Sequence, residues 1–303
     1  MNEQYFRRLQ GTLEGVVAHL TDKGIRADRL AFGGAGALPE RRPTVPTDAR
    51  SEFLANRAMG DWAERMLANA LRVSFPGWAV TQYGNTDRIA AGHPEFRGRY
   101  LAGLEETRLL GKRPDLLLFP AGLEAGIDLA ERPQAETERT VQQAHAAIEV
   151  RSSKFEALRY MAVRQQQREA GNAGGRETPS FTVKVEDLVI VYRWLERTQV
   201  PQTYCQVFYD SIFAVNFLDI FAAIGRGEGY TIETPKKSQE KATIMIPITA
   251  GVQVGRATDL PTFAAEQRVT ALGRHDAFVV PQGGGFVLDA DNMRRVLIEF
   301  DLA

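Results

Sequence analysis

Near the start of the chain, apolar residues recur at helical spacing. Tyr5, Leu9, Leu13, Val16, Val17 and Leu20 share one face and predict a helix over residues 4–20. A second stripe, Met59, Trp62, Met66 and Ala70, predicts a helix from about Arg50 to Leu71, with Asp48 near its N-cap. Gly60, Glu64, Leu67 and Leu71 form a neighbouring stripe, which sets Glu64 at the edge of the buried face. Residues 32–48, rich in Gly, Pro and Thr, read as a linker. The pattern then changes. Trp78 to Tyr83, Pro114 to Phe119 and about Ala144 to Arg151 read as strands, separated by polar stretches at 84–100 and 120–140, the latter loop-like.

Beyond the third strand, Ser153-Lys154-Phe155-Glu156 fits a capping box and predicts a helix that runs to about Glu169. Gly171-Asn172-Ala173-Gly174-Gly175 ends it in a turn. Phe181 to Val185 reads as a short strand. The run Leu188-Val189-Ile190-Val191-Tyr192 suits a strand as well, but Leu188, Val191 and Leu195 followed by Val200-Pro201 favour a helix over 187–197. Thr203 to Tyr209 and Ile212 to Phe217 predict a hairpin around Asp210-Ser211. From about Gly225 glycine-rich turns dominate, with strands at Thr243 to Ile248 and Phe278 to Val280. The expected fold is α/β: a mixed central sheet flanked by helices, with a helical N-terminal element and a β-rich C-terminal part. The expected division is 1–45, 46–225 and 226–303.

Composition narrows the chemistry. With 303 residues, 44% hydrophobic and 25% charged, the chain can bury a sizeable core. Its net charge of -1 means that any nucleic-acid contact needs local basic patches. The single cysteine, Cys205, excludes an internal disulfide framework and a cysteine-based zinc site, and reads as a small core residue. His19, His93, His145 and His275 are too scattered for a helical zinc motif. No apolar run has the length of a membrane span, and the start lacks the apolar core of a signal peptide, so a cytoplasmic protein is expected. Gly33-Gly34-Ala35-Gly36 and Gly283-Gly284-Gly285 lack the Lys-Ser/Thr of a phosphate loop and read as turns.

Two of the predicted strands each carry one carboxylate, Asp115 and Glu149. Pro-Asp before an apolar run is a common turn, but Glu149 interrupts Ala146-Ala147-Ile148 and Val150, where an unpaired charge would be costly. Mg²⁺ wants hard oxygen ligands and keeps several waters, so Asp115, Glu149 and the Val150 carbonyl would suffice to hold it. A metal so placed suits phosphodiester hydrolysis. Residues 149 and 151 of a strand share a face, which would put Arg151 beside the metal as an electrostatic clamp. Lys154 would sit in the first turn of the next helix, against the macrodipole. It can lose a proton where an arginine effectively cannot, so it is the better candidate for activating water.

Pro114-Asp115 followed by Glu149-Val150-Arg151 resembles the PD-(D/E)XK nuclease superfamily. Ser180-Phe181-Thr182-Val183-Lys184-Val185-Glu186-Asp187-Leu188 and Tyr204-Cys205-Gln206-Val207-Phe208-Tyr209-Asp210 are similar to type II restriction endonucleases of the AccI kind. The resemblance implies a Mg²⁺-dependent, sequence-specific cleaver of double-stranded DNA that acts as a homodimer. It also implies a role near the metal for Glu64. Arg151 stands where the superfamily has lysine, so either Arg151 substitutes electrostatically or Lys154 fills the vacancy. Arg88, Arg97 and Arg99 are candidates for a DNA groove, since arginine bonds phosphate or guanine in pairs. Ser152, Ser153, Lys184, Lys236 and Lys237 complete the candidate DNA-binding set. The rivals are a repair or junction-resolving nuclease of the same fold, and a non-catalytic DNA-binding protein.

Overall fold

The computed structural model describes residues 2–33, 51–84, 95–123, 129–172, 174–234, 242–269 and 273–297. Most of the expected linker, together with Arg88, Lys236 and Lys237, lies outside the described residues. Among the described residues no helix is long and apolar enough to cross a membrane.

The chain opens with α1 (Asn2–Asp22) and α2 (Ser51–Ser74), where apolar spacing predicts them. Then come β1 (Trp78–Gln82), α3 (Phe96–Leu110), β2 (Leu116–Pro120), α4 (Gln134–Val141) and β3 (Ala146–Ser152). The middle of the chain forms α5 (Ala157–Glu169), β4 (Ser180–Lys184), α6 (Val185–Thr198), β5 (Gln202–Val207), β6 (Ser211–Asn216) and α7 (Phe217–Arg226). The remainder is β7 (Thr231–Glu233), β8 (Thr243–Pro247), β9 (Val252–Asp259), β10 (Thr262–Val269), β11 (His275–Gln282), β12 (Gly285–Leu288) and α8 (Ala290–Leu297). The ambiguous run at 188–192 is helical. Leu188, Val191, Tyr192 and Leu195 fall on one buried face of α6, and Gln199 closes the helix at φ 54° ahead of Val200-Pro201.

Seven strands make the central sheet, in the order β1-β2-β3-β5-β6-β9-β12. The β3–β5 pair is parallel, because the chain crosses over through α5, β4 and α6; the other neighbours are antiparallel. Alternation along each strand feeds two cores. Leu116, Leu118, Ala146, Ile148, Val150, Cys205 and Val207 pack with Met59, Trp62, Leu67 and Leu71 of α2 and Met293 of α8. Leu117, Phe119, Ala147, Tyr204, Phe213 and Val215 face the other way, onto α1, α6 and α7. α1 lies close on α7: a Cβ on Gly15 would come within 2.5 Å of the Gly225 carbonyl oxygen, so only glycine fits. The expected architecture, a mixed sheet flanked by helices with a helical start, is the observed one. β9 and β12 of the C-terminal part extend the central sheet, and β8 pairs with β4 in a smaller sheet with β7.

Two local expectations are corrected. The loop-like stretch at 120–140 contributes α4, and the end of the polar stretch at 84–100 opens α3. α3 buries no residue fully, and α4 is a short helix holding Gln134, Thr137 and Val141 inward, so neither writes a strong apolar stripe. The capping box is not formed. β3 stays paired with β5 as far as Ser152↔Val207, and the Ser153 N–H donates to the Val207 carbonyl at 2.9 Å, which holds this stretch extended. α5 therefore begins only at Ala157, and Glu156 makes no side-chain cap. Its cap comes from the β5–β6 turn instead. The Asp210 carboxylate accepts from the N–H groups of Ala157 (2.8 Å), Leu158 (2.8 Å) and Arg159 (3.2 Å). Lys154 thus lies on the connection, outside the first helical turn.

Candidate active site

The segment between α3 and β2 is rigidly seated. Gly111 adopts φ +92°, and a Cβ there would lie 2.3 Å from the Trp194 backbone nitrogen, so a side chain is sterically forbidden. The Lys112 N–H donates to the Ile190 carbonyl at 2.9 Å. Arg113 is buried and donates to Glu106 (2.9 Å) and to the carbonyls of Leu129 (3.2 Å) and Arg132 (2.7 Å). This anchoring delivers Asp115 one residue ahead of β2. Its Oδ2 accepts the Val150 N–H of the adjacent β3 at 2.6 Å, and its backbone oxygen accepts from Tyr83 and Gly84.

Glu149 sits in the middle of β3, 2% exposed, paired in register with Tyr204. Its Oε1 accepts from the Lys112 ammonium and lies 3.2 Å from the Arg151 guanidinium. Its Oε2 is buried and has no hydrogen-bond partner. Arg151 also reaches Asp187 in the first turn of α6, at 3.0 Å. Burial disfavours the guanidinium charge, but Glu149, Tyr204 and Asp187 outweigh it and raise the Arg151 pKa above its ordinary value.

Glu64 of α2 adds a third carboxylate and accepts a long hydrogen bond from Gln82 at 3.4 Å. Burial, then the charges of Asp61 and Glu149, push its pKa from the ordinary 4.5 to about 7. Burial, reinforced by Glu149 and Glu64, likewise raises the Asp115 pKa well above the carboxylate range. Glu64, Lys112, Asp115, Glu149, Arg151, Ser152 and Lys154 line one open cleft at the end of β3, of about 370 Å³.

Glu64 and Asp115, both with raised pKa values beside the Glu149 charge, together with a buried and unpartnered Glu149 oxygen, form a seat for positive charge. Among the described residues no group of three or more His, Cys, Asp and Glu side chains could hold a metal ion by itself. The donor set fits a small hard cation that takes one or two carboxylates and keeps water for its other positions. Asp115 and Glu149 are the residues that could hold it.

The structure brings all five expected catalytic residues together: Glu64, Asp115, Glu149, Arg151 and Lys154 share the cleft. Ser152 lines it too, while the Ser153 hydroxyl accepts from Gln206 at 2.8 Å. Arg97 and Arg99 lie exposed on α3, Arg99 at 3.6 Å from Glu95, and Lys184 ends β4 exposed; none of the three lines the cleft. Sequence reasoning missed Lys112, Asp187 and Asp210. Lys112 stands three residues before Asp115, yet nothing in that spacing announces that its side chain turns onto Glu149. Asp187 reaches Arg151 from the first turn of α6, a contact that its distance along the chain does not announce.

The cleft gathers three carboxylates and three cationic side chains beside the central sheet, and comparison with known families gives its class. The AccI restriction endonuclease family matches residues 30–174 and 170–301. The chain belongs to the AccI restriction endonuclease family. No curated protein and no solved structure matches it.

Proposed function

We propose that this protein is a type II restriction endonuclease that hydrolyses phosphodiester bonds in double-stranded DNA at a fixed sequence, with Mg²⁺ as cofactor and a PD-(D/E)XK-type centre. The observation that carries this reading is the seating of Asp115, held by the Val150 N–H of β3, beside Glu149, with one Glu149 oxygen buried and unpartnered in an acid-rich cleft. Membership of the AccI family supports the substrate and the reaction class.

In this reading Asp115 and Glu149 hold the ion, and Glu64 adds negative charge from α2. Bound Mg²⁺ supplies Lewis acidity and an activated water. The protein's own groups do the positioning. The Val150 N–H fixes the Asp115 carboxylate, and Asp187 fixes Arg151, whose charge offsets that of Glu149. Lys154, exposed at the cleft edge, and Ser152 would meet a DNA phosphate. Arg97, Arg99 and Lys184 are candidates for contacts further along the duplex. A twofold homodimer would set two such clefts across one palindromic site.

The test is digestion of a sequenced plasmid with Mg²⁺, beside a Glu149→Ala control. Discrete fragments that vanish in the variant support the reading. A smear, or fragments that persist in the variant, contradicts it. Unchanged DNA binding with no cutting under any divalent ion would identify a non-catalytic DNA-binding protein instead.

A further inference from the structure

We propose that Lys112 is the principal cationic residue of this active site, filling from the β2 side the place that a lysine two residues beyond Glu149 would fill. The proposal rests on the nuclease reading above. Three observations single out Lys112. Its ammonium contacts Glu149 directly, and it lines the same cleft as Asp115 and Glu64. Its backbone is pinned by the Ile190 carbonyl and by the forbidden side chain at Gly111, so its placement is built into the fold. Arg151, which occupies the expected position, is already held between Glu149 and Asp187.

Lys112 is also a partly exposed counter-charge in an otherwise anchored segment. Its side chain is 26% exposed on a flexible stem, whereas Arg113 beside it is buried in a network of bonds. In the ion-free cleft Lys112 neutralises Glu149. With a divalent ion held by Glu149, Lys112 would be released from that carboxylate, and its ammonium would turn toward a phosphate oxygen, where its three N–H donors would stabilise the charge that develops there. Lys112 thus has two consequences that separate it from a structural lysine. It competes with the ion, and it is needed in the reaction.

The experiment uses the full chain and its Lys112→Met and Lys112→Gln variants, with Lys154→Met for comparison. Ca²⁺ binding is measured by titration calorimetry, and single-turnover plasmid cleavage is measured with Mg²⁺. The expected result is Ca²⁺ binding tightened several-fold to about tenfold in both Lys112 variants, since a competing positive charge is gone. Cleavage should fall by about 100-fold or more, a deeper loss than in Lys154→Met. Duplex affinity in Ca²⁺ should stay within a few-fold of wild type. Unchanged or weaker Ca²⁺ binding, cleavage within a few-fold of wild type, or a deeper loss in Lys154→Met would each overturn the proposal. Should Lys112→Met fail to fold, Lys112→Gln, which keeps a donor toward Glu149, carries the same readouts. Should the wild-type protein neither bind Ca²⁺ nor cut DNA, the nuclease reading fails instead.

Discussion

Replacing Glu64 by glutamine should change how the stability of the ion-free protein depends on pH. In the folded state Glu64 titrates at about 7, against an ordinary value of 4.5. Between these values the unfolded chain has released the proton and the folded chain still holds it. The folded state therefore binds more protons, and stability falls as pH rises through this window. The full gap corresponds to about 3–4 kcal/mol. Glu64 is partly exposed, and solvent screening reduces the expected loss to about 1–2 kcal/mol. Glutamine removes the titration and also relieves Asp115 of one repelling neighbour. Urea unfolding in EDTA at pH 5 and pH 8 measures the effect. The wild type should lose about 1–2 kcal/mol relative to Glu64→Gln between the two, and saturating Mg²⁺ at pH 8 should recover most of the difference. Parallel pH profiles for the two proteins would refute the electrostatic account of the cleft.

Other changes test the scaffold around the site. Asp210→Ala removes the acceptor of three N–H groups at the start of α5 and should cost about 1–3 kcal/mol, read as a lower urea midpoint at constant slope; an unchanged midpoint would show that another group caps the helix. Arg151→Met leaves Glu149 and Asp187 without their shared cation and should cost about 2–4 kcal/mol, whereas Arg151→Lys should recover part of it; equal stability of both variants would contradict the bridging role. Gly111→Ala forces a Cβ against the Trp194 backbone at φ +92° and should lower the melting temperature more than any other single Gly→Ala change at an α3–β2 or β-turn position that is open to solvent, such as Gly122.

Much of this layout is legible in the residues. α1 and α2 write clear apolar stripes, and β2 and β3 are apolar runs distinct enough that Asp115 and Glu149 can be set on one sheet before any coordinates exist. Glu149 is conspicuous because a charge among Ala147, Ile148 and Val150 demands a reason. α3 escapes notice because its face packs only partially, and α7 because Asn216, its N-cap, merges into the apolar end of β6. The misplaced start of α5 is more instructive. Ser153 and Glu156 have the letters of a capping box, but pairing of β3 with β5 claims the backbone first, and a carboxylate some fifty residues later in the chain, Asp210, supplies the cap. The same kind of tertiary contact hides Lys112 and Asp187: their roles depend on which elements become neighbours, and local spacing does not encode that.

The central claim is that Asp115 and Glu149 together hold the ion with which this cleft cuts DNA. Its most direct test is Mg²⁺-dependent cleavage of a sequenced plasmid by wild type and Asp115→Asn, with binding of the same DNA measured in Ca²⁺. The account predicts discrete, mappable ends for the wild type. For Asp115→Asn it predicts at least about 100-fold slower cutting with DNA still bound. Cutting by Asp115→Asn at the same positions and the same rate would contradict it.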